Sequence, residues 1–268
     1  MIAAIRRFAL LTFSVLFCLF LVGVYANYKA LSEPLKTPFA HPFIQTPSSR
    51  FIAYRGDSAD HPGNSLEALD AAAKTGLTTI LWIDLHPKTD GTIVATVDSP
   101  KENSDGATLK ELLEKFQDRK LILNFSGNKP GMIENIVSAV EATHASGRIL
   151  IQSPEDGLLR DLREKEPTWI FGTSQAQTTR MKMLASLWLA PMAPIKGDIY
   201  VLEWEKSGDA SSDGQDHDVD DSIIEEVHRR HLKIFIGPVG NPEKAKAFLN
   251  RGVDAVMVTR PLSNENAR

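Results

Sequence analysis

The chain has 268 residues, a net charge of −4, 43% hydrophobic residues and one cysteine. Its Lys and Arg are scattered without interleaved aromatics, which argues against nucleic acid as a partner, and the lone Cys18 excludes an intramolecular disulfide. About 218 residues follow the first fifty, room for one domain with a sizeable core.

Arg6 and Arg7 precede an uncharged, mostly apolar run over 8–26, long enough as a helix rising about 1.5 Å per residue to cross a hydrocarbon core. The charge bias puts residues 1–7 in the cytoplasm and the rest on the extracytoplasmic, periplasmic or extracellular side. Val24-Tyr25-Ala26 would also serve as a signal-peptide cleavage site. The run is long for a signal segment, which favours an uncleaved membrane anchor. Residues 27–50 carry Pro34, Pro38, Pro42 and Pro47 and read as a semi-rigid, extended linker, with His41 in solvent. The folded domain is expected over 51–262, with 263–268 as a tail.

Within it, β-rich apolar runs fall at 51–54, 78–85, 92–97, 121–125, 148–152, 168–171, 199–202, 233–236 and 255–258. Helical patterns fall at 65–75, 109–115, 132–143, 157–164, 179–189, 221–231 and 242–250. Alternating strands and helices predict a parallel sheet, and this many units predict closure: an α/β, (β/α)8 TIM-type barrel behind one N-terminal transmembrane helix. The interval between Asp84 and Thr92 is too short for a crossover helix, so the barrel is slightly irregular or hairpin-like there.

Five motifs mark one end of the expected barrel. They are Tyr54-Arg55-Gly56, Pro62-Gly63-Asn64-Ser65, Trp82-Ile83-Asp84, Thr89-Asp90-Gly91 and Val97-Asp98. Toward the C-terminus come Asn241-Pro242-Glu243 and the run from Gly252-Val253-Asp254 to Thr259-Arg260-Pro261. In order and spacing they resemble the glycerophosphodiester phosphodiesterase family, whose barrels carry His-Arg-Gly, Pro-Glu-Asn, Glu-x-Asp, Lys-Asp-Gly and His-Asp in the first five slots.

The resemblance implies a divalent cation, Mg²⁺ or Ca²⁺, a phosphate-steadying Arg and two His that move protons. Here the His slots hold Tyr54 and Val97, Trp82 replaces the first metal carboxylate, and Asn124 replaces a later one. Gly63 stands where the loop has Glu, and the Lys of that later strand is lost. Arg55, Asn64 and Asp84 remain as candidate ligand-binding residues, Arg55 either gripping a phosphate or pairing with Asp84 or Asp98. Asp90 and Asp98 read as turn residues. A lone Asp84 is a poor cation site, so no cofactor is expected unless the protein is active.

His61 and His86 are conceivable relocated acid–base groups, or a loop and a strand-end histidine facing water. Glu203 and Glu205 share a face at a strand end and either supply an acid to the mouth or point to solvent. The loop 208–221 holds Asp209, Asp213, Asp216, Asp218, Asp220 and Asp221 without EF-hand spacing and reads as a solvated loop ending in an N-cap.

Two functions follow. The first is a membrane-anchored pseudoenzyme binding a phosphorylated headgroup, lipid or another envelope protein. The alternative is a divergent diesterase of lipid metabolism, releasing sn-glycerol 3-phosphate and an alcohol from glycerophosphodiesters.

Overall fold

The computed structural model describes residues 2–32, 39–46, 50–75, 80–98, 106–203 and 219–260. A long apolar helix, α1 (Ile2–Ser32), is followed by the short α2 (Pro42–Gln45) and then β1 (Phe51–Tyr54), α3 (Leu66–Lys74), β2 (Ile80–Pro87) and β3 (Ile93–Ala95). Next come α4 (Leu109–Lys115), β4 (Lys120–Phe125), α5 (Met132–Ala142), β5 (Ile149–Gln152), α6 (Asp156–Lys165) and α7 (Gln175–Ala185). The chain closes with β6 (Ile199–Glu203), α8 (Asp221–Arg229), β7 (Lys233–Val239), α9 (Pro242–Asn250) and β8 (Ala255–Val258).

The strands lie in the order β5-β4-β2-β1-β8-β7-β6 and pair in parallel along it. The eighth stave is minimal. Ile151 donates to Ile170 O at 3.0 Å and Gly172 to Ile151 O at 2.8 Å, while Asp198 donates to Phe171 O at 2.7 Å, so one bridged segment joins β5 to the start of β6. This segment was expected as a full strand over 168–171. It stays short because the Asp198 carboxylate takes the Phe171 N–H at 2.9 Å, a donor the ladder would otherwise use. β3 pairs antiparallel with β2, the hairpin that the short Asp84–Thr92 interval requires.

Alternation along each strand separates two layers. Ile52, Tyr54, Ile80, Trp82, Ile122, Leu150, Ile170, Ile199, Val201, Phe235 and Met257 fill the barrel. Leu81, Ile83, Leu121, Leu123, Ile149 and Ile151 face the helix shell and meet Leu112, Leu113, Ile136 and Leu162. Side-chain caps fix where helices start: Ser65 accepts from Ala68 N–H at 3.1 Å, and Thr108 with Glu111 forms a capping box on α4. Helix α7 spans 175–185 where the periodicity placed 179–189. Ser174 caps it early, and Trp188, at φ +58°, lies beyond its end.

The segment read as a semi-rigid, extended linker is partly structured. α1 continues to Ser32, and α2 sits under the strand N-termini, where Phe43 joins the barrel interior at 2% exposure. Lys120, at the start of β4, donates to Phe43 O at 2.7 Å and Thr46 O at 2.6 Å. His41, expected in solvent, is buried instead. Its Nδ1 accepts the Phe43 N–H at 3.2 Å as the N-cap of α2, with Pro42 at the first helical position and the ring stacked on Phe39.

Candidate functional site

The barrel mouth is built by register. Tyr54 stands beside Trp82, and Asp84, Asn124 and Gln152 align across three neighbouring strands. Trp82, Asp84 and His86 lie on one face of β2 because side chains two apart share a face. All of these side chains are buried. Glu203, the last residue of β6, approaches from across the mouth.

Asp84 is the hub. Its Oδ1 accepts the Trp82 indole N–H at 2.7 Å and the Asn124 amide N–H at 2.9 Å, and its Oδ2 is ion-paired with the Arg55 guanidinium. Arg55 makes the pairing with Asp84 that was one of the sequence readings. The guanidinium also lies 4.8 Å from the Tyr54 ring centroid, a cation–π distance. Arg55 adopts φ +63° and is held there by its N–H on Trp82 O at 3.0 Å and its C=O on the Asn64 N–H at 2.9 Å. A left-handed arginine is strained, and the strain is maintained at the mouth. Gly56 follows at φ +79°, where an added Cβ would lie 2.4 Å from the Ala68 carbonyl carbon, so only glycine lets this turn reach α3.

Asn64, expected to touch a ligand, instead braces the backbone. Its Oδ1 accepts the Asp84 N–H at 3.1 Å and its Nδ2 donates to Thr96 O at 3.0 Å, so both ends of the amide are committed. At the mouth, Arg55 Nε–H, Asn124 Oδ1 and Gln152 Oε1 have no hydrogen-bond partner among the described residues, and Asp84 Oδ2 has only its ion pair with Arg55.

Tyr54 donates to Glu203 Oε1 at 2.5 Å. Burial first, then the negative charge of Asp84, pushes the Glu203 carboxyl up to about 7, against the opposing effects of the Tyr54 hydrogen bond and Arg55. Burial and the carboxylates of Glu203 and Asp84 push the Tyr54 phenol upward as well, so it stays protonated and cannot serve as a base.

The histidine candidates separate. His86 is buried in β2, not turned to water, and burial depresses its pKa, opposed by Asp84 and Asp98. His61 is exposed on the loop after β1. Val97 and Asp98 occupy an exposed bend after β3. Asp90 Oδ1 accepts the Thr92 N–H at 2.9 Å, a turn role, and Asp220 Oδ1 accepts the Ser222 N–H at 2.8 Å as the N-cap of α8. Glu205 and Asp209 to Asp218 lie outside the described residues. Gln152 is the mouth residue that the motifs missed. It donates to Thr173 O at 3.0 Å, and its position after the apolar run Ile149-Leu150-Ile151 was the available signal.

A divalent cation does not fit this donor set. Mg²⁺ or Ca²⁺ needs several oxygens, whereas Asp84 faces an indole N–H, an amide N–H and a guanidinium, which already supply the positive potential that a cation would bring. Among the described residues no three His, Cys, Asp or Glu converge as a metal-binding group.

No protein-family model matches the sequence, and no curated protein matches it significantly. Solved structures do. The glycerophosphoryl diester phosphodiesterase domain of a Mycobacterium tuberculosis protein superposes with a TM-score of 0.61 at 16% identity, over 81% of this chain and 97% of that one. A phosphodiesterase from Oleispira antarctica, in complex with the product sn-glycerol-3-phosphate, gives 0.59 at 18% identity over 82% and 96%. A glycerophosphodiester phosphodiesterase from Agrobacterium tumefaciens gives 0.58 at 13% identity over 80% and 97%. The chain therefore has the barrel fold of the glycerophosphodiester phosphodiesterases, spanning nearly the whole length of each.

Proposed function

We propose that this protein is a membrane-tethered barrel of the glycerophosphodiester phosphodiesterase fold that binds a phosphorylated headgroup without hydrolysing it. One observation carries the reading: the Asp84 carboxylate, where the family resemblance puts a metal, is occupied by Trp82, Asn124 and Arg55. Loss of the metal removes charge neutralisation on the diester, and Tyr54 in a histidine slot is a phenol held protonated by its surroundings. Binding does not need those groups. The unpartnered Arg55 Nε–H offers a phosphate oxygen a charged donor, and a neighbour of the same fold is described with sn-glycerol-3-phosphate. The apolar α1, with mean hydropathy 2.4 over its best window, supports tethering, and Arg6 and Arg7 ahead of it support an extracytoplasmic barrel.

The test is hydrolysis of glycerophosphocholine by the full chain with Mg²⁺ or Ca²⁺. The expected result is no release of sn-glycerol 3-phosphate above the protein-free rate, with sn-glycerol 3-phosphate binding weakened by Arg55→Ala. Metal-dependent turnover abolished by Arg55→Ala overturns the reading. A divergent hydrolase is favoured by one observation only, a carboxyl titrating near 7 in the same mouth as a buried histidine. That alternative requires turnover with a bell-shaped pH profile, lost in Glu203→Gln.

A further inference from the structure

An apolar patch stands on the shell of the barrel beside α1. Met183, Leu187, Trp188 and Met192 are 56%, 59%, 87% and 39% exposed, all on or just after α7. A monomeric soluble surface seldom collects four such side chains in ten residues of sequence, and a tryptophan turned almost wholly to solvent has no packing reason to be there. Nor is the segment loose. The Arg230 guanidinium donates to Ala193 O at 2.6 Å, Pro191 O at 2.8 Å and Ala190 O at 3.3 Å, tying the turn to the end of α8. Trp188 is held at φ +58°, a conformation unusual for a bulky side chain.

The position of the patch relative to α1 indicates what covers it. Leu189 lies against Gly23, where an added Cβ would come within 4.0 Å of Leu189 Cδ2. Gly23 is three residues inside the end of the apolar run at Ala26, about 4.5 Å along a helix axis. The loop that carries Trp188 therefore touches α1 at the depth where its hydrophobic span ends. Tyr25 and Tyr28, 67% and 70% exposed, mark the same level on α1. Tyr and Trp concentrate at the boundary between acyl chains and headgroups because their rings are apolar and their N–H or O–H groups want water. Exposed Arg180 and Lys182 on α7 add cations next to the patch, suited to anionic headgroups.

We infer that Met183, Leu187, Trp188 and Met192 insert into the lipid leaflet at the end of α1, so that the barrel sits on the bilayer on its α7 side and is not suspended above it. This rests on the reading of α1 as a membrane anchor. It also gives the twenty-odd residues after the apolar run a different role. A chain segment that folds α2 under the barrel, with the α7 turn pressed on α1, holds the domain close to the surface.

The test uses the full chain in vesicles of phosphatidylcholine and phosphatidylglycerol, with a polarity-sensitive fluorophore on one cysteine at a time. One protein is labelled at the native Cys18 within α1, and another at Leu187→Cys in a Cys18→Ser background. A Met192→Cys protein in the same background guards against a local effect at 187. The expected result is loss of emission at 187 and 192 with nitroxide lipids labelled near the headgroup, loss at Cys18 with deeply labelled lipids, and protection of all three from aqueous iodide. Quenching at Cys18 with iodide-accessible 187 and 192 leaves the anchor standing and overturns the seating. Labels at 187 that are shielded from both lipid and iodide and quench one another identify a second copy as the occupant, which also overturns it. Quenching at 187 and 192 without Cys18 overturns the anchor and leaves a peripheral lipid-binding patch. No lipid quenching anywhere overturns both.

Discussion

Trp82 and Asp84, two positions apart on one face of β2, are hydrogen-bonded to each other: the indole Nε1–H donates to Oδ1 at 2.7 Å. With Asn124 on the neighbouring strand and Arg55 at the end of β1, the carboxylate is enclosed by donors from three strands. The three donors and the carboxylate form one charge cluster with polar atoms left over, and its members are expected to behave as one unit.

Arg55→Ala should therefore destabilise the protein by about 3 kcal/mol, because it leaves a carboxylate buried without its cation. Asp84→Asn in the same chain should restore part of that loss, since a neutral amide needs no counter-charge. Denaturant unfolding of the two single variants and the double variant reads the coupling; additive losses would show that the pair is not a unit.

Trp82, in the slot where the family resemblance expects a carboxylate, is fully buried. Trp82→Ala is expected to cost about 3–5 kcal/mol from the cavity alone. Trp82→Glu by itself should bind no Mg²⁺ or Ca²⁺, because Asn124 and Arg55 still occupy Asp84. Calorimetric titration with each metal checks this, and uptake by the single variant would show that the donors on Asp84 yield easily.

The alternation of strands and helices, the β2–β3 hairpin and an N-cap at Asp220 or Asp221 were readable in the sequence, because each depends on local pattern or on spacing within a few residues. The pairing of Tyr54 with Glu203 was not. Those residues are 149 positions apart and meet only when the barrel closes. Burial of Phe43 and His41 was hidden for a different reason: proline-rich composition reads as a spacer, and only the strand N-termini show what it packs against. Asn64 was placed correctly in its loop, yet its role depended on which backbone groups β2 and the residue after β3 would leave unpaired.

Phe43→Ala tests whether 42–45 belongs to the domain. Removing an aromatic that plugs the barrel interior should lower stability by about 3–5 kcal/mol, against a change near zero for a residue in a free linker. Unfolding followed by near-ultraviolet dichroism gives the value; an unchanged midpoint would return the segment to a spacer.

The pH dependence of stability should carry the signature of Glu203. Its folded pKa of about 7 lies above the ordinary 4.5, so the folded state holds a proton that the unfolded chain has lost over that interval. Its contribution is fully present below about 4.5 and is lost as pH rises through about 7, a span worth roughly 3 kcal/mol. His86 works in the opposite sense. Its folded pKa is depressed below 6.5, so its contribution is present above 6.5 and is lost as pH falls through the folded value. The two oppose each other in the wild-type curve, which makes the difference between wild type and Glu203→Gln the informative quantity. That difference should favour wild type most at low pH and shrink steadily toward pH 8, because the amide keeps a hydrogen bond with Tyr54 and cannot ionise. Melting temperatures of the two proteins across this range check it, and a pH-independent difference would mean that Glu203 does not titrate between 4.5 and 7 in the folded barrel.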